Sequence, residues 1–316
     1  MFFHYRLPFV IAALLLAVAS GPSATVAQSP PPVVRLASSA AETYAQALYA
    51  QDLGLYQKAG LTAEVNILAT GAAVSTAVVG GAADIGISTT LNLANAISRG
   101  VPLVVIAPGP MTTVKSPSGL ICVARTSRYK TAKDFEGATI AVPALKQTAD
   151  LGVREWLTRG GADPAKVHII EAPFATMAAA VERGTYAAAA ISEPALNIAM
   201  KSGSIRCIGD PFGAIAPNYM FAAWFTTKAF ADKNPDVVRK VAQVLTEAGK
   251  WANAHHTESA AIVARINKLD VETIRAETRP VYAEEIRLSE IQPQLDAGYK
   301  FGFLTRPVTA SELLGH

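Results

Sequence analysis

Apolar positions along the chain switch repeatedly between two periods. Residues 33–37 alternate as a strand should, and 44–53 carry apolar residues at helical spacing up to Gly54. A short helical turn closed by Gly60 leads into a second alternating run over 62–68. Gly71 then opens a helix with Val74, Ala77 and Val78 on one face, and Gly80-Gly81 stops it. Residues 84–87 form a short strand, Ser88-Thr89-Thr90 hands the chain to another helix, and a further strand runs to Pro108. From 33 to 108 strands and helices therefore alternate. That order calls for a mostly parallel sheet with helices on both faces.

Two breaker clusters, Pro108-Gly109-Pro110 and Ser116-Pro117-Ser118-Gly119, flank the next stretch. Beyond them the alternation resumes. Strands are expected at 120–124, 139–142, 167–171, 187–191 and 204–208, with helices at 131–135, 151–159, 174–183 and 195–201 between them. Residues 221–226 read as a strand returning to the first unit. After Asn234-Pro235 the pattern turns helical, over 235–253, 258–266, 271–277 and 283–301. The fold class is α/β with two lobes. Lobe 1 is discontinuous, 28–112 plus 225–316, and lobe 2 is 113–224.

Length agrees, since 316 residues exceed what one core usually holds. Half the residues are hydrophobic and 17% are charged, which excludes extended disorder. The formal charge is +3 and no basic cluster occurs, so nucleic acid is not an expected partner. Residues 1–27 read as a cleaved signal peptide: Arg6, an apolar run over 7–19 too short to span a bilayer, Pro22, and small residues ending at Ala27. Its removal leaves about 289 residues destined for the periplasm. The formal charge then falls from +3 to +2 with the loss of Arg6.

Cys122 and Cys207 are the whole cysteine complement. In an oxidising compartment they either pair or serve as small buried hydrophobes on strands. Neither has a metal-binding neighbourhood. His255-His256 are adjacent, so on a helix they point apart, and no third ligand accompanies them. The chain carries no phosphate-binding glycine loop, no GxGxxG after a strand and no HExxH. No metal, cofactor or catalytic residue is expected.

In open α/β sheets ligands bind beyond the carboxyl ends of the strands. Two small polar loops lie at that edge, 38–43 and 88–92. Each also reads as a helix cap. Both roles fit together, because hydroxyls can satisfy part of a helix end while its remaining N–H groups meet a ligand.

Four segments together resemble a known family: SSAAETYAQALYAQDLGLYQKAGLTAEV (38–65), GGAADIGIS (80–88), YKTAKDFEGATIAVP (129–143) and ISEPALNIA (191–199). The chain is similar to the NMT1/THI5-like periplasmic substrate-binding proteins of ABC transporters, in the sulfonate, nitrate and taurine group. The resemblance implies a type II periplasmic-binding-protein fold, two α/β lobes with two crossovers and a helical C-terminal segment. It implies a cleft that closes on its ligand, with hinges at 112–117 and 219–225.

Ligand-binding positions follow from it loop by loop. They are Ser38, Ser39, Glu42 and Thr43, then Gly71 and Ala72, then Ser88, Thr89 and Asn92. Lobe 2 contributes Gln147, Thr148 and Glu193, and the return contributes Asn218 and Tyr219. Glu42 also reads as a first-turn acid complementing a helix dipole, and Glu193 as part of a cap. Trp224 reads either as core or as a ligand contact.

The expected function is a monomeric receptor of an ABC importer that hands its solute to a membrane permease. The expected ligand is a small organic anion, sulfonate- or carboxylate-like, aromatic compounds included. The cleft loops are rich in alanine, and Lys146 and Lys115 are the cations nearest to them. Two alternatives use the same fold. One is a pyrimidine-precursor synthase, which would want clustered cysteines; the other is a sensory binding module.

Overall fold

The computed structural model describes residues 1–4, 31–39, 41–193 and 195–315. The chain divides into Met1–Pro30 and a body, Pro31–His316. Residues 1–4 are exposed and without regular structure. The rest of the expected signal segment and its cleavage point lie outside the described residues. Everything below concerns the body.

In chain order the strands are β1 Val33–Ser38, β2 Thr62–Ile67, β3 Ile85–Thr89, β4 Leu103–Pro108, β5 Pro110–Thr113, β6 Leu120–Ala124 and β7 Thr139–Val142. They continue with β8 His168–Glu171, β9 Ala188–Ile191, β10 Ile205–Gly209, β11 Asn218–Met220, β12 Ala222–Thr227 and β13 Val281–Tyr282. Two five-stranded sheets result, ordered β2-β1-β3-β12-β4 and β10-β6-β9-β7-β8. In the first, β1, β2 and β3 run parallel, with Val33 opposite Thr62 and Leu36 opposite Ile85. The returning β12 inserts antiparallel between β3 and β4. In the second, β7, β8 and β9 are parallel, while β6 runs against both β9 and β10. This is the expected α/β architecture, with the helices after Asn234 as its C-terminal segment.

Away from the edge strand β2, both faces of the first sheet are buried, as a sheet covered by helices on both sides requires. On one face Leu36, Ile87 and Trp224 pack against helix Pro235–Ala254. That helix presents Val241, Val244, Leu245, Ala248 and Ala252 as a stripe at helical spacing. On the other face Leu91 and Leu295 pack with Phe225. Trp224 is fully buried, and its indole N–H donates to Gln46 Oε1 at 2.9 Å. The Gln46 amide in turn donates to the carbonyls of Pro108 and Leu245, at 3.2 and 3.1 Å. Of its two readings, Trp224 takes the core one.

The segments that pass between the sheets pair with each other. β5 and β11 form an antiparallel ribbon, Tyr219 opposite Thr112, and β13 adds to its other edge. Gly109 sits at the start of this crossing. A Cβ there would lie 2.4 Å from the Ala222 carbonyl oxygen, so only glycine lets the two crossings approach this closely.

One expected element is corrected. Residues 283–301 are not a single helix: β13 ends at Tyr282, a 3-10 turn covers Leu288–Glu290, and the helix is Gln292–Lys300. Pro293 near its start lacks an N–H, and that is tolerated only in a first helical turn. Upstream, pairing of Val281 with Met111 holds the chain extended. The cysteines are resolved as well. Cys122 and Cys207 face each other across β6 and β10 and are bonded. Among the described residues no helix is long and apolar enough to cross a membrane.

Candidate functional site

The carboxyl end of β1 delivers Ser38, whose hydroxyl donates to the Tyr44 carbonyl at 2.7 Å and draws the following loop into a turn. That turn opens a 3-10 helix, Glu42–Tyr44. Glu42 is buried. Its Oε1 accepts from the Tyr49 hydroxyl at 3.0 Å and pairs with the Arg279 guanidinium. The Tyr282 hydroxyl donates to the Glu42 carbonyl at 2.5 Å. Burial holds the Glu42 carboxyl above its ordinary range, against the opposing pull of Arg279 and Tyr49. The dipole reading of Glu42 thus gives way to a buried ion pair.

The carboxyl end of β3 delivers Ser88 and Thr89. Thr89 caps helix Thr90–Ser98, its hydroxyl accepting from the Asn92 N–H at 3.2 Å. The Ser88 hydroxyl donates to the Gly71 carbonyl at 3.3 Å and lies 3.4 Å from Asn92 Nδ2, the donor. Thr70 caps helix Gly71–Val79 in the same way, accepting from the Ala73 N–H. Gly71, Ser88, Thr89 and Asn92 are therefore one cluster, with exposed Ala72 beside it. A Cβ on Gly71 would sit 3.1 Å from the Ser88 hydroxyl, so a larger residue at that helix start requires the Ser88 side chain to shift.

In the second sheet, β7 leads to helix Thr148–Arg159, with Gln147 at the cap position but making no side-chain cap bond. The Thr148 hydroxyl accepts from Gln294 Nε2 at 3.3 Å. Gln294 Oε1 takes the Thr90 hydroxyl, so this one side chain links the helix after β3 to the helix after β7. Lys300 reaches Glu155 at 2.9 Å nearby. At the end of β9, Glu193 Oε2 accepts from the Asn197 N–H at 3.0 Å, capping helix Ala195–Ser202. Asn197 Nδ2 donates to the Ala276 carbonyl at 2.7 Å, reaching back across.

The structure brings Glu42, Thr43 and Glu193 to one cavity of about 370 Å³, together with Glu277, Thr278 and Pro280. A smaller adjoining cavity of about 80 Å³ is lined by Thr43, Ser192 and Glu193. Ser39 is buried next to the Glu42 turn. Asn218 and Tyr219 lie elsewhere. Asn218 is exposed and lines a separate depression with Lys250 and Glu284. Tyr219 is fully buried in the core that includes Leu151 and Ile215. Burial pushes its phenol far above the usual value.

Sequence reading missed the segment from Glu277 to Pro280 altogether. Burial, and then the charges of Glu42 and Glu193, push the Glu277 carboxyl up to about 7, partly offset by Arg279. It also missed an aromatic bridge in which Phe221 contacts Tyr44 on one side and Phe212 on the other, at 6.4 and 6.1 Å between centroids. No local signal marked Arg279, which is 237 residues from Glu42.

The taurine-binding periplasmic protein of Escherichia coli (strain K12) is 28% identical over 193 residues. That match covers 61% of this chain and 58% of the relative's length. The periplasmic aliphatic sulphonate binding protein SsuA of Escherichia coli superposes with a TM-score of 0.74 at 19% identity, covering 89% of this chain and 97% of that one. The periplasmic nitrate-binding protein NrtA of Synechocystis PCC 6803 gives 0.70 at 18% identity, covering 90% and 85%. At such identities the two structures speak for the fold. The profile described as NMT1/THI5 like matches residues 42–259, more than half of the chain, and the chain belongs to that family.

Proposed function

We propose that the protein is a solute-binding receptor that captures a small organic molecule outside the cytoplasmic membrane and presents it to the permease of an ABC importer. One observation carries this reading: loops from the carboxyl ends of two separate sheets, Glu42-Thr43 and Ser192-Glu193, line adjoining cavities. A ligand seated there touches both lobes, and closure of one lobe on the other would enclose it. The three similar proteins named above are binding proteins by name, which supports binding over catalysis. So does the state of the cysteines, since the disulfide leaves no thiol for cysteine chemistry. The same bond supports an oxidising, exported location.

The solute is an organic anion in this reading. Its anionic end meets the cluster of Gly71, Ser88 and Asn92, where two nine-residue helices begin and their free N–H groups favour negative charge. Ser38, Ser39, Thr89, Gln147 and Thr148 shape the surroundings, and the protein works as a monomer. Mass spectrometry of small molecules released from the purified protein, followed by calorimetric titration, tests the proposal. An organic solute bound at one site per chain is the expected result. Tight binding of an inorganic anion alone, or no solute-dependent heat or thermal shift across a broad panel, overturns it.

A further inference from the structure

The cavity of about 370 Å³ has an unusual electrostatic character for the pocket of an anion receptor. Glu42, Glu193 and Glu277 line it, and among the described residues no lysine, arginine or histidine does. Val263, Leu269 and Ile274 supply an apolar wall. The nearest cation, Arg279, is already committed: it pairs with Glu42, donates to Ser259 Oγ at 2.8 Å and to the His256 carbonyl at 3.0 Å.

The polar groups here are also incompletely satisfied. Among the described residues five buried side-chain N or O atoms lack a hydrogen-bond partner, and three are in this corner: Glu42 Oε2, Glu277 Oε1 and Arg279 Nε. The Glu42 side chain is only 7% exposed, so water does little for its second oxygen. A buried acceptor without a donor costs free energy, more so when it is charged. The corner therefore asks for donors at two carboxylates. It is not arranged for a metal, because no three histidine, cysteine, aspartate or glutamate side chains among the described residues converge closely enough to hold one ion. The spacing suits a larger cation that spreads several N–H donors.

We infer that the solute carries a cationic nitrogen group, an ammonium or amidinium, which seats between Glu42, Glu193 and Glu277. The inference rests on the receptor reading above and deepens it, adding a cationic group to the organic anion proposed there. Two of the three carboxylates need this partner for different reasons. Glu42 Oε2 gains a charge-assisted hydrogen bond. Glu277 gains a counter-charge that Arg279, held by Glu42, provides only in part.

The test uses the purified full chain and matched pairs of probes that differ in the nitrogen: homotaurine against propanesulfonate, gamma-aminobutyrate against butyrate, and para-(aminomethyl)benzoate against para-toluate. Calorimetric titration should show the amine member of at least one pair binding about tenfold or more tighter, as a charge-assisted bond in a buried corner implies. Glu277→Gln and Glu193→Gln should each shrink that preference to about threefold or less, with far-ultraviolet dichroism and melting unchanged enough to show a folded protein. Equal or tighter binding of the members without nitrogen, or an amine preference that survives both substitutions, overturns the inference and leaves the receptor reading standing. Binding of no member of any pair, together with no solute-dependent heat or thermal shift across the broad panel, overturns both.

Discussion

Two corners of the molecule are built from the same kinds of loop and differ in how their polar groups are satisfied. At the hydroxyl corner Gly71, Ser88, Thr89 and Asn92 bond to one another and to helix N–H groups. At the acidic corner Glu42 and Arg279 hold each other, and each still has an atom with no partner. The side chains of the first corner find partners locally and support two helices; the second leaves three buried atoms without a partner among the described residues. Serines and threonines at a helix start are satisfied by the backbone at their own loop. Carboxylates brought together from distant segments have no such local remedy. The place to look for ligand chemistry is where packing has buried charge without finishing its hydrogen bonds.

The largest effect should come from removing one half of the acidic pair. Glu42→Ala strands the Arg279 guanidinium, which is 11% exposed, and should cost about 3–5 kcal/mol in chemical denaturation. Replacing Arg279 by Met in the same chain should recover a substantial part of that loss, because burying no charge is cheaper than burying one unpaired. A Glu42→Ala protein as stable as the parent would show that the corner bears no strain and would remove the contrast.

At the hydroxyl corner the corresponding losses are smaller. Thr89→Ala removes a helix cap and should cost about 1–2 kcal/mol, while Thr89→Ser keeps the accepting oxygen and most of the stability. A Thr89→Ala cost as large as that at Glu42 would mean that the two corners are built alike. Ser88→Ala should cost at most about 1 kcal/mol, since its bond to Gly71 is 3.3 Å long. Its solute affinity should fall all the same, as read by titration. Unchanged affinity with a large loss of stability would leave Ser88 as a capping and packing residue alone.

This contrast follows what could be read from the chain beforehand. The strand and helix alternation and the polar loops after β1 and β3 are local patterns, legible in spacing and in glycine stops. So was the return of the chain at β12. The grouping of Gly71 with Ser88 followed from the family resemblance, and in the fold β1 lies between the strands β2 and β3 that lead to them. Glu277 and Arg279 were not legible. They lie in a stretch after Val271–Arg275 whose sequence resembles any exposed helix end, and they matter only because folding carries them to Glu42. Tyr219 erred in the other direction. The family resemblance sets it at the cleft, but the pleat of β11 turns it into the core while Asn218 faces out. The break at Val281–Tyr282 belongs with these, since only pairing to β5 reveals it.

The smallest effect separates the two corners by pH. Glu277 has its carboxyl pushed up to about 7 from an ordinary 4.5, first by burial and then by Glu42 and Glu193, with Arg279 opposing. In the window between those values the folded protein holds a proton that the unfolded chain has released. Stability therefore falls as pH rises from 4.5 through 7, and the full cost is present above that. Glu277→Gln removes the titration. Its gain over the parent should be absent near pH 4 and reach roughly 0.5 kcal/mol near pH 8, small because the side chain is only half-buried and solvent screens it. Melting curves at the two pH values read this difference. Ser88→Ala, which touches no titrating group, should shift both curves equally. A Glu277→Gln gain that is the same at both pH values would show that the residue acts by packing. A gain confined to high pH that disappears when a tight amine ligand is added would tie the buried charge directly to the solute, because a bound cation stabilises the ionised carboxylate of the parent and leaves the amide of the variant without an equivalent partner.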